Sequence, residues 1–477
     1  MILSDKKNCH FSHIANNELF SNNMVPSWNS SGFSSSKLSA RDTGEKVLWE
    51  IKKVLQSHFP DLVERLNGIT DTRERKTYSP SELVFGGLVL FLLKCRSRNA
   101  MNNRLLGKEF SDNYRKLFKM PCPGMDAVED FYREVSPEEF DDLKASIIAT
   151  LIEKRSLHSF RLMGKYFTIA VDATGVYSSQ TKHWEECTNK TSKNGTISWM
   201  NHVLEAKLVC SNGMSLSLCS EWIINPDAEY DKQDCEMKAF KRLSVRLKKY
   251  FPRLPVCLVF DGLYCNAPMM DICSTNNWQW IAVFKDGNLS TVHQELDLLP
   301  EGAFRTFKRL MPHRNTNMEY YWCNDLDYHK HQIHWIKCLQ ETTSEIGIVK
   351  KHHFEYLTSI RQDSGIIEEC VEAARDRWHI EDSFNDQKNR DFNMQHLFSR
   401  SSFTAFCNWY QTLQLAHIIY QFTVKTKEFV QLLNLHSKQT IRHLWENMCS
   451  VISMIDLQDF TDLFDNWIAT PRQVRLC

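Results

Sequence analysis

At 477 residues, with 42% hydrophobic and 24% charged side chains, the chain is too long for one typical domain and apolar enough to bury a sizeable core. Its 58 lysines and arginines balance 58 aspartates and glutamates, so overall charge gives no argument for nucleic acid, and such an interface must rest on local clusters. Sixteen cysteines are scattered without a Cys-x-x-Cys pair, which argues against a disulfide scaffold and for free thiols in a reducing cytoplasm.

Residues 1 to 40 are polar and aperiodic, with Asn29-Ser30-Ser31 and Ser34-Ser35-Ser36, the composition of a disordered tail without a secretory apolar run. Residues 41 to 160 read as a helical, DNA-binding domain. Val47, Ile51, Val54 and Leu55 recur at helical spacing, Ser79-Pro80-Ser81-Glu82 caps an apolar helix through Leu93, and Pro137-Glu138-Glu139 opens another through Ile152. The run Leu83 to Leu93 contains Gly86-Gly87 and is too short to span a bilayer, so it reads as a buried helix of a soluble protein with no membrane partner.

From 161 to 285 the pattern changes. Phe167 to Val171, Val203 to Cys210 and Met214 to Ile224 are strand candidates, the last two joined by Ser211-Asn212-Gly213, a strong hairpin signal. A helix over Asp231 to Tyr250, a strand Val256 to Phe260, a helix Pro268 to Asn276 and a strand Trp280 to Phe284 follow. Strand, strand, strand, helix, strand, helix, strand is the mixed-sheet order of an RNase H-like α/β domain, with the Val256 strand beside the Phe167 strand. Residues 286 to 360 read as a β-rich insertion, with strands around Tyr320-Tyr321-Trp322, Ile333 to Leu339 and Phe354 to Ile360. Residues 361 to 400 return to the α/β domain with a helix through Lys388, and residues 401 to 477 form a helical C-terminal region.

Two of these strands stop at an aspartate, Asp172 and Asp261, and the late helix offers Glu381. Neighbouring strands lie about 4.8 Å apart, so the two aspartates are expected to share a site. Their oxygens are the hard ligands that Mg²⁺ and Mn²⁺ prefer. On the late helix, with Arg377 at zero, Glu381 falls at about 40°, Lys388 at about 20° and Phe384 at about 340°, whereas Asp382 points about 100° away from Glu381. A carboxylate between two cations on a helix is, read alone, more often a structural ion pair.

Asp172-Ala173-Thr174, Asp261-Gly262-Leu263-Tyr264 and Arg377-Trp378-His379-Ile380-Glu381 with Lys388 resemble the three signature blocks of DDE transposases of bacterial insertion sequences, the group with a Tyr-x-x-Arg-x-x-x-Glu-x-x-x-x-x-x-Lys pattern. The likeness runs more weakly from about residue 45 to the C-terminus. The tyrosine position of the signature falls on Ala374, a departure from the pattern. The resemblance implies metal binding and catalysis by Asp172, Asp261 and Glu381, with Mg²⁺ (or Mn²⁺) as cofactor. Arg377 and Lys388 would contact the scissile phosphate. It also implies double-stranded DNA partners (terminal inverted repeats and target DNA), a homodimer in the DNA complex, and a cytoplasmic, nucleoid-associated location. The alternatives are a metal-dependent nuclease on the same fold and a transposase-derived DNA-binding protein without activity.

Other clusters carry weaker signals. The stretch Lys94, Arg96, Arg98, Arg104, Lys108, Arg115, Lys116 and Lys119 is the better DNA-binding candidate, ahead of the basic helix Lys238 to Lys249, which reads equally as a solvated face. His329, His331 and His334 with Cys323 and Cys338 follow no zinc spacing. Trp278 and Trp280 are candidates for stacking on an unpaired base, although core packing is the more frequent role.

Overall fold

The computed structural model describes residues 38–225, 234–311, 315–344, 347–435, 437–468, 474 and 476–477, so nearly all of the expected tail lies outside the described residues. Helix starts follow local chemistry. Ahead of α1 (Ala40–His58), Ser39 and Asp42 cap each other's backbone N–H groups. After α2 (Leu62–Asn67), Ser79 and Glu82 do the same for α3 (Pro80–Leu92), with Pro80 preset in the first turn where no N–H is needed. Helices α4 (Arg98–Leu105), α5 (Lys108–Phe118), α6 (Met125–Glu134) and α7 (Pro137–Glu153) complete the N-terminal set.

The chain then enters one mixed sheet of ten strands. Strands β1 (Phe167–Ser179), β2 (Thr188–Thr191), β3 (Ile197–Val209) and β4 (Ser215–Ile223) are followed by α8 (Glu236–Tyr250), β5 (Val256–Phe260), α9 (Ala267–Asn276) and β6 (Gln279–Val283). Next come α10 (Ser290–Leu298), β7 (Arg305–Met311), β8 (Thr316–Tyr328), β9 (His331–Thr343) and β10 (Val349–Thr358). Spatially the order is β2-β3-β1-β5-β6-β10-β9-β8-β7, with β4 also paired to β3. β1, β3 and β4 form an antiparallel meander, and β5 lies beside β1 as expected, in parallel. The β3–β4 turn is the anticipated one: Gly213 takes φ +87°, which favours glycine, and its N–H donates to the Cys210 carbonyl at 2.8 Å.

Two expectations need correction. The strand carrying Asp172 does not stop there. Past Ala170 it loses β5 but stays paired to β3 through Asp172↔Glu205 as far as Ser179↔Trp199. Residues 286 to 360 do supply strands, but these do not form a separate unit. β10 pairs antiparallel with β6 through Tyr356↔Val283 and Leu357↔Ala282, so β7 to β10 extend the same sheet. Backbone groups of β6 that would otherwise face solvent are satisfied by this pairing.

After the sheet come α11 (Ile367–Asp376) and α12 (Trp378–Asn389), nearly continuous through Arg377, whose backbone is also helical. They cover one face of the sheet, where Ala170, Val259, Ile281, Ile336 and Tyr356 pack with Val371, Ile380 and Phe384. On the other face Ile169, Leu258 and Phe260 pack with Phe240 and Leu243 of α8. The chain ends in α13 (Phe403–Val424), α14 (Lys427–Asn434), α15 (Ile441–Met454) and α16 (Gln458–Ile468). These interleave with the N-terminal helices: α15 packs on α1, and α13 packs on α3, α6, α7 and β4. The two ends of the sequence therefore share one helical layer. Among the described residues no helix is long and apolar enough to cross a membrane.

Candidate active site

Pairing between β1 and β5 ends at Ala170↔Val259. Asp172 and Asp261 each lie two residues further on (172 − 170 and 261 − 259), so the two strands bring them to matching positions. Side chains of paired parallel strands share a face and alternate with period two. Both carboxylates therefore belong to the face of Ala170 and Val259, the one that α11 and α12 cover. Here β5 has ended while β1 runs on, which leaves a notch at the rim of the sheet.

Each aspartate is anchored by its own backbone. Asp172 Oδ1 accepts from the Ala173 N–H at 3.0 Å. Asp261 Oδ1 accepts from the Leu263 N–H at 2.9 Å and caps the short turn Gly262–Tyr264. Both side chains are half-buried. Glu381 enters from the first turn of α12, and its Oε1 pairs with Arg377 Nη1 at 2.8 Å. The helical phase expected for these two residues is thus observed, with Arg377 buried and Glu381 half-exposed. Asp382 turns away: its side chain is 76% exposed, and its nearest charged partner is His379 at 3.9 Å.

The electrostatics tie the three acids together. Burial pushes the Asp172 carboxyl up to about 6, Arg377 opposes that rise, and the like charges of Glu381 and Asp261 add to it. Lys388 is half-buried; burial moves its ammonium down from the ordinary lysine value, against the pull of Asp172. Arg377 and Lys388 are therefore both within electrostatic reach of Asp172, as the pattern on α12 implies. The donors present are carboxylate oxygens, which suit a hard divalent cation. Among the described residues, however, no three His, Cys, Asp or Glu side chains already stand as a metal-holding cluster. Asp172, Asp261 and Glu381 converge on one rim, but Glu381 is engaged by Arg377.

A cleft of about 650 Å³ opens from this rim between the end of β6, β10 and the α11–α12 junction. Asp261, Arg377 and Glu381 line it together with Lys285, Tyr356 and Arg375, the last three of which had no signal in the sequence. A fourth acid, Glu236 at the start of α8, accepts from Tyr264 Oη at 3.3 Å, and burial, with help from Asp261, raises its carboxyl. In the sequence nothing marks it within the helix expected over Asp231 to Tyr250.

Several candidates prove structural. Trp278 and Trp280 are buried in the core at 3% and 4% exposure. His331 Nε2 contacts Asp271 at 2.7 Å and His334 Nδ1 accepts from the Asp325 N–H, so the histidine stretch has local partners. Several residues of the basic stretch expected to meet DNA have partners within the fold. Lys94 lies 4.8 Å from the Phe392 ring and 4.7 Å from the Tyr420 ring, Arg96 pairs with Asp391, Arg98 reaches Glu129 at 3.5 Å and Lys119 reaches Asp465 at 2.9 Å. On α8, Arg242 pairs with Glu221 and Asp234, and Arg246 with Asp141. No protein-family model matches this chain, and no curated protein is significantly similar to it.

Proposed function

We propose that the protein is a DDE transposase with an RNase H-like catalytic domain, which cuts DNA ends and joins them to target DNA. The observation that carries this reading is the matching step of Asp172 and Asp261 past Ala170↔Val259, with Glu381 brought to the same face by α12. The strand order β4-β3-β1-β5-β6 and the helix that follows agree with the topology expected for that domain.

Asp172, Asp261 and Glu381 would hold Mg²⁺ or Mn²⁺, which, when bound, supplies charge neutralisation at the phosphate and activation of the attacking oxygen. Arg377 lies beside Glu381 and, with Lys388, supplies positive charge where an in-line displacement accumulates negative charge. In the first reaction a water oxygen bonds to phosphorus and the strand's 3′-oxygen leaves. In the second the freed 3′-hydroxyl bonds to a target phosphorus and another 3′-oxygen leaves. No covalent bond to the protein is needed. The partners on this reading are double-stranded DNA ends and a second copy of the chain, because two ends must be paired.

The test is to incubate the protein with Mg²⁺, labelled end DNA and a supercoiled target. Joined products support the proposal. Cut but unjoined products favour a nuclease on the same fold, and binding without either product favours a non-catalytic DNA-binding protein.

A further inference from the structure

Lys207 on β3 and Lys144 on α7 are both fully buried, and their ammonium groups are satisfied differently. Lys144 pairs with Asp141 at 3.0 Å. Lys207 has no carboxylate within ion-pair distance among the described residues. It donates instead to Ser383 Oγ at 2.9 Å and Gln414 Oε1 at 3.2 Å, and lies 4.5 Å from the centroid of the Phe384 ring. Burial moves its ammonium down to about 8; Glu205 and Asp386 oppose that fall from farther off, and Lys144 adds to it. The group is therefore a cation at neutral pH without a counter-ion in contact. A buried charge of this kind is costly, and an apolar side chain of similar volume would leave the core at least as stable. Stability alone does not account for an ammonium at this position.

Its place in the sheet points to a use. Ala170 pairs with Lys207 on one side and with Val259 on the other, so these three residues form one row across β3, β1 and β5. Asp172 and Asp261 each lie two residues beyond that row (172 − 170 and 261 − 259). On α12 the residues that Lys207 contacts are Ser383 and Phe384, two and three positions after Glu381 (383 − 381 and 384 − 381). One side chain thus joins the strands that carry the two aspartates to the helix that carries the third acid. One turn further along α12, Gln387 is fully buried and exchanges hydrogen bonds of 2.9 and 3.0 Å with Gln414, which also accepts from Lys207. Ser383, Phe384 and Gln387 fall on one face of α12, so this grip opposes both sliding and rotation of the helix. The Arg377–Glu381 pair lies within one helical run and cannot set the distance from helix to sheet.

We propose that Lys207 is a positioning residue, which holds α12 against the sheet so that Glu381 meets Asp172 and Asp261 around one divalent cation. The inference rests on the metal-dependent reading of the rim.

The test reads metal binding rather than activity. Mn²⁺ is titrated into the full chain and the free ion is followed by EPR, for the wild type, Lys207→Met, Glu381→Gln and the double variant. Lys207→Met keeps the apolar stem and leaves no carboxylate unpaired, so its thermal midpoint should equal or exceed that of the wild type. Its Mn²⁺ affinity should fall about tenfold, the scale for losing an orienting partner at a metal site. Added to Glu381→Gln, Lys207→Met should cost nothing further, because the carboxylate it positions is gone. A role in stability alone would not produce that coupling. Ser383→Ala, which removes the acceptor on α12, runs the same cycle from the other side and decides alone if Lys207→Met does not fold. Unchanged affinity in Lys207→Met, losses that add to that of Glu381→Gln, or no Mn²⁺ binding by the wild type each overturn the inference. Coupling without DNA cutting by the wild type sinks the transposase reading but keeps this role for Lys207. Cutting that depends on Asp261, with additive losses in the Mn²⁺ cycle, does the reverse.

Discussion

The molecule holds two sets of carboxylates, one at the sheet rim and one in the core, and their residue types do not distinguish them. In the core, Glu205 accepts from Ser217 at 2.7 Å and from Tyr410 at 2.9 Å, Asp141 pairs with Lys144 and Arg246 at 3.0 and 2.8 Å, and Asp386 contacts His417 at 2.9 Å. Lys207, also fully buried, donates to Ser383 and Gln414 at 2.9 and 3.2 Å and so ties β3 to α12 and α13. At the rim, among the described residues, Asp172 and Asp261 accept only from backbone N–H groups close by in sequence, and Glu381 has one ion pair. A buried ion must be satisfied by the protein itself, or folding pays several kcal/mol. A carboxylate that is to hold something from solution must keep oxygen lone pairs free. Partner count separates Glu205 and Asp141 from the rim acids where chemistry alone does not; Asp386, with its contact to His417, is separated from them by burial instead.

The sharpest way to break this contrast is to neutralise each set in turn. Asp172→Asn, Asp261→Asn and Glu381→Gln should each lower Mg²⁺-dependent DNA cutting by about 10³-fold or more, with little change in the thermal midpoint. Products resolved on a denaturing gel read the effect, and full activity in any one variant removes that residue from the site. Lys144→Met should do the opposite, lowering stability by about 3–5 kcal/mol in urea unfolding because it leaves Asp141 and two serine hydroxyls short of a partner. A loss below about 1 kcal/mol would mean that the core set is not sealed as described.

A third test uses a buried group that lacks a partner. His58 Nε2 is buried without a hydrogen bond, and burial, with repulsion from Lys154, pushes its imidazole down to about 4 from 6.5. Between those values the unfolded chain binds the proton and the folded one does not. Stability is therefore full above pH 6.5 and falls as pH drops through about 4, by about 3 kcal/mol in all. Urea midpoints at several pH values should fall with acidification, and His58→Phe should flatten that part of the slope. The smallest effect is expected at Asp382→Asn, whose side chain points into solvent beside Glu381. Its cutting rate should stay within about twofold of the wild type, as for other exposed charges; a loss as large as that of Glu381→Gln would overturn the assignment of the helix face.

Much of the architecture was readable along the chain because it is encoded locally. Ser79 with Glu82 marks a helix start, Asn212-Gly213 marks a hairpin, and the short apolar runs before Asp172 and Asp261 mark strands that pair side by side. The phase of Arg377, Glu381 and Asp382 on a helix follows from its period alone, and their ion pairing and exposure agree with it. The limits of Asp172's strand were misread for a related reason. The apolar run ends at Val171, yet pairing with β3 carries the strand on to Ser179, and a polar strand supported by one neighbour has no hydrophobic signature.

Only the tertiary structure decided which charges remain available. Lys94 under its aromatic rings, Arg98 at Glu129 and Arg246 at Asp141 are basic residues like any others until distant segments meet them. The same holds for β10 docking on β6, which sets Tyr356 across from α11, and for Glu236 near Asp261. Periodicity and caps act over a few residues, so local sequence determines element type and facing. Ion pairing, burial and the convergence of Asp172, Asp261 and Glu381 depend on contacts between residues tens to hundreds of positions apart, and those contacts leave no mark on the residues that flank them.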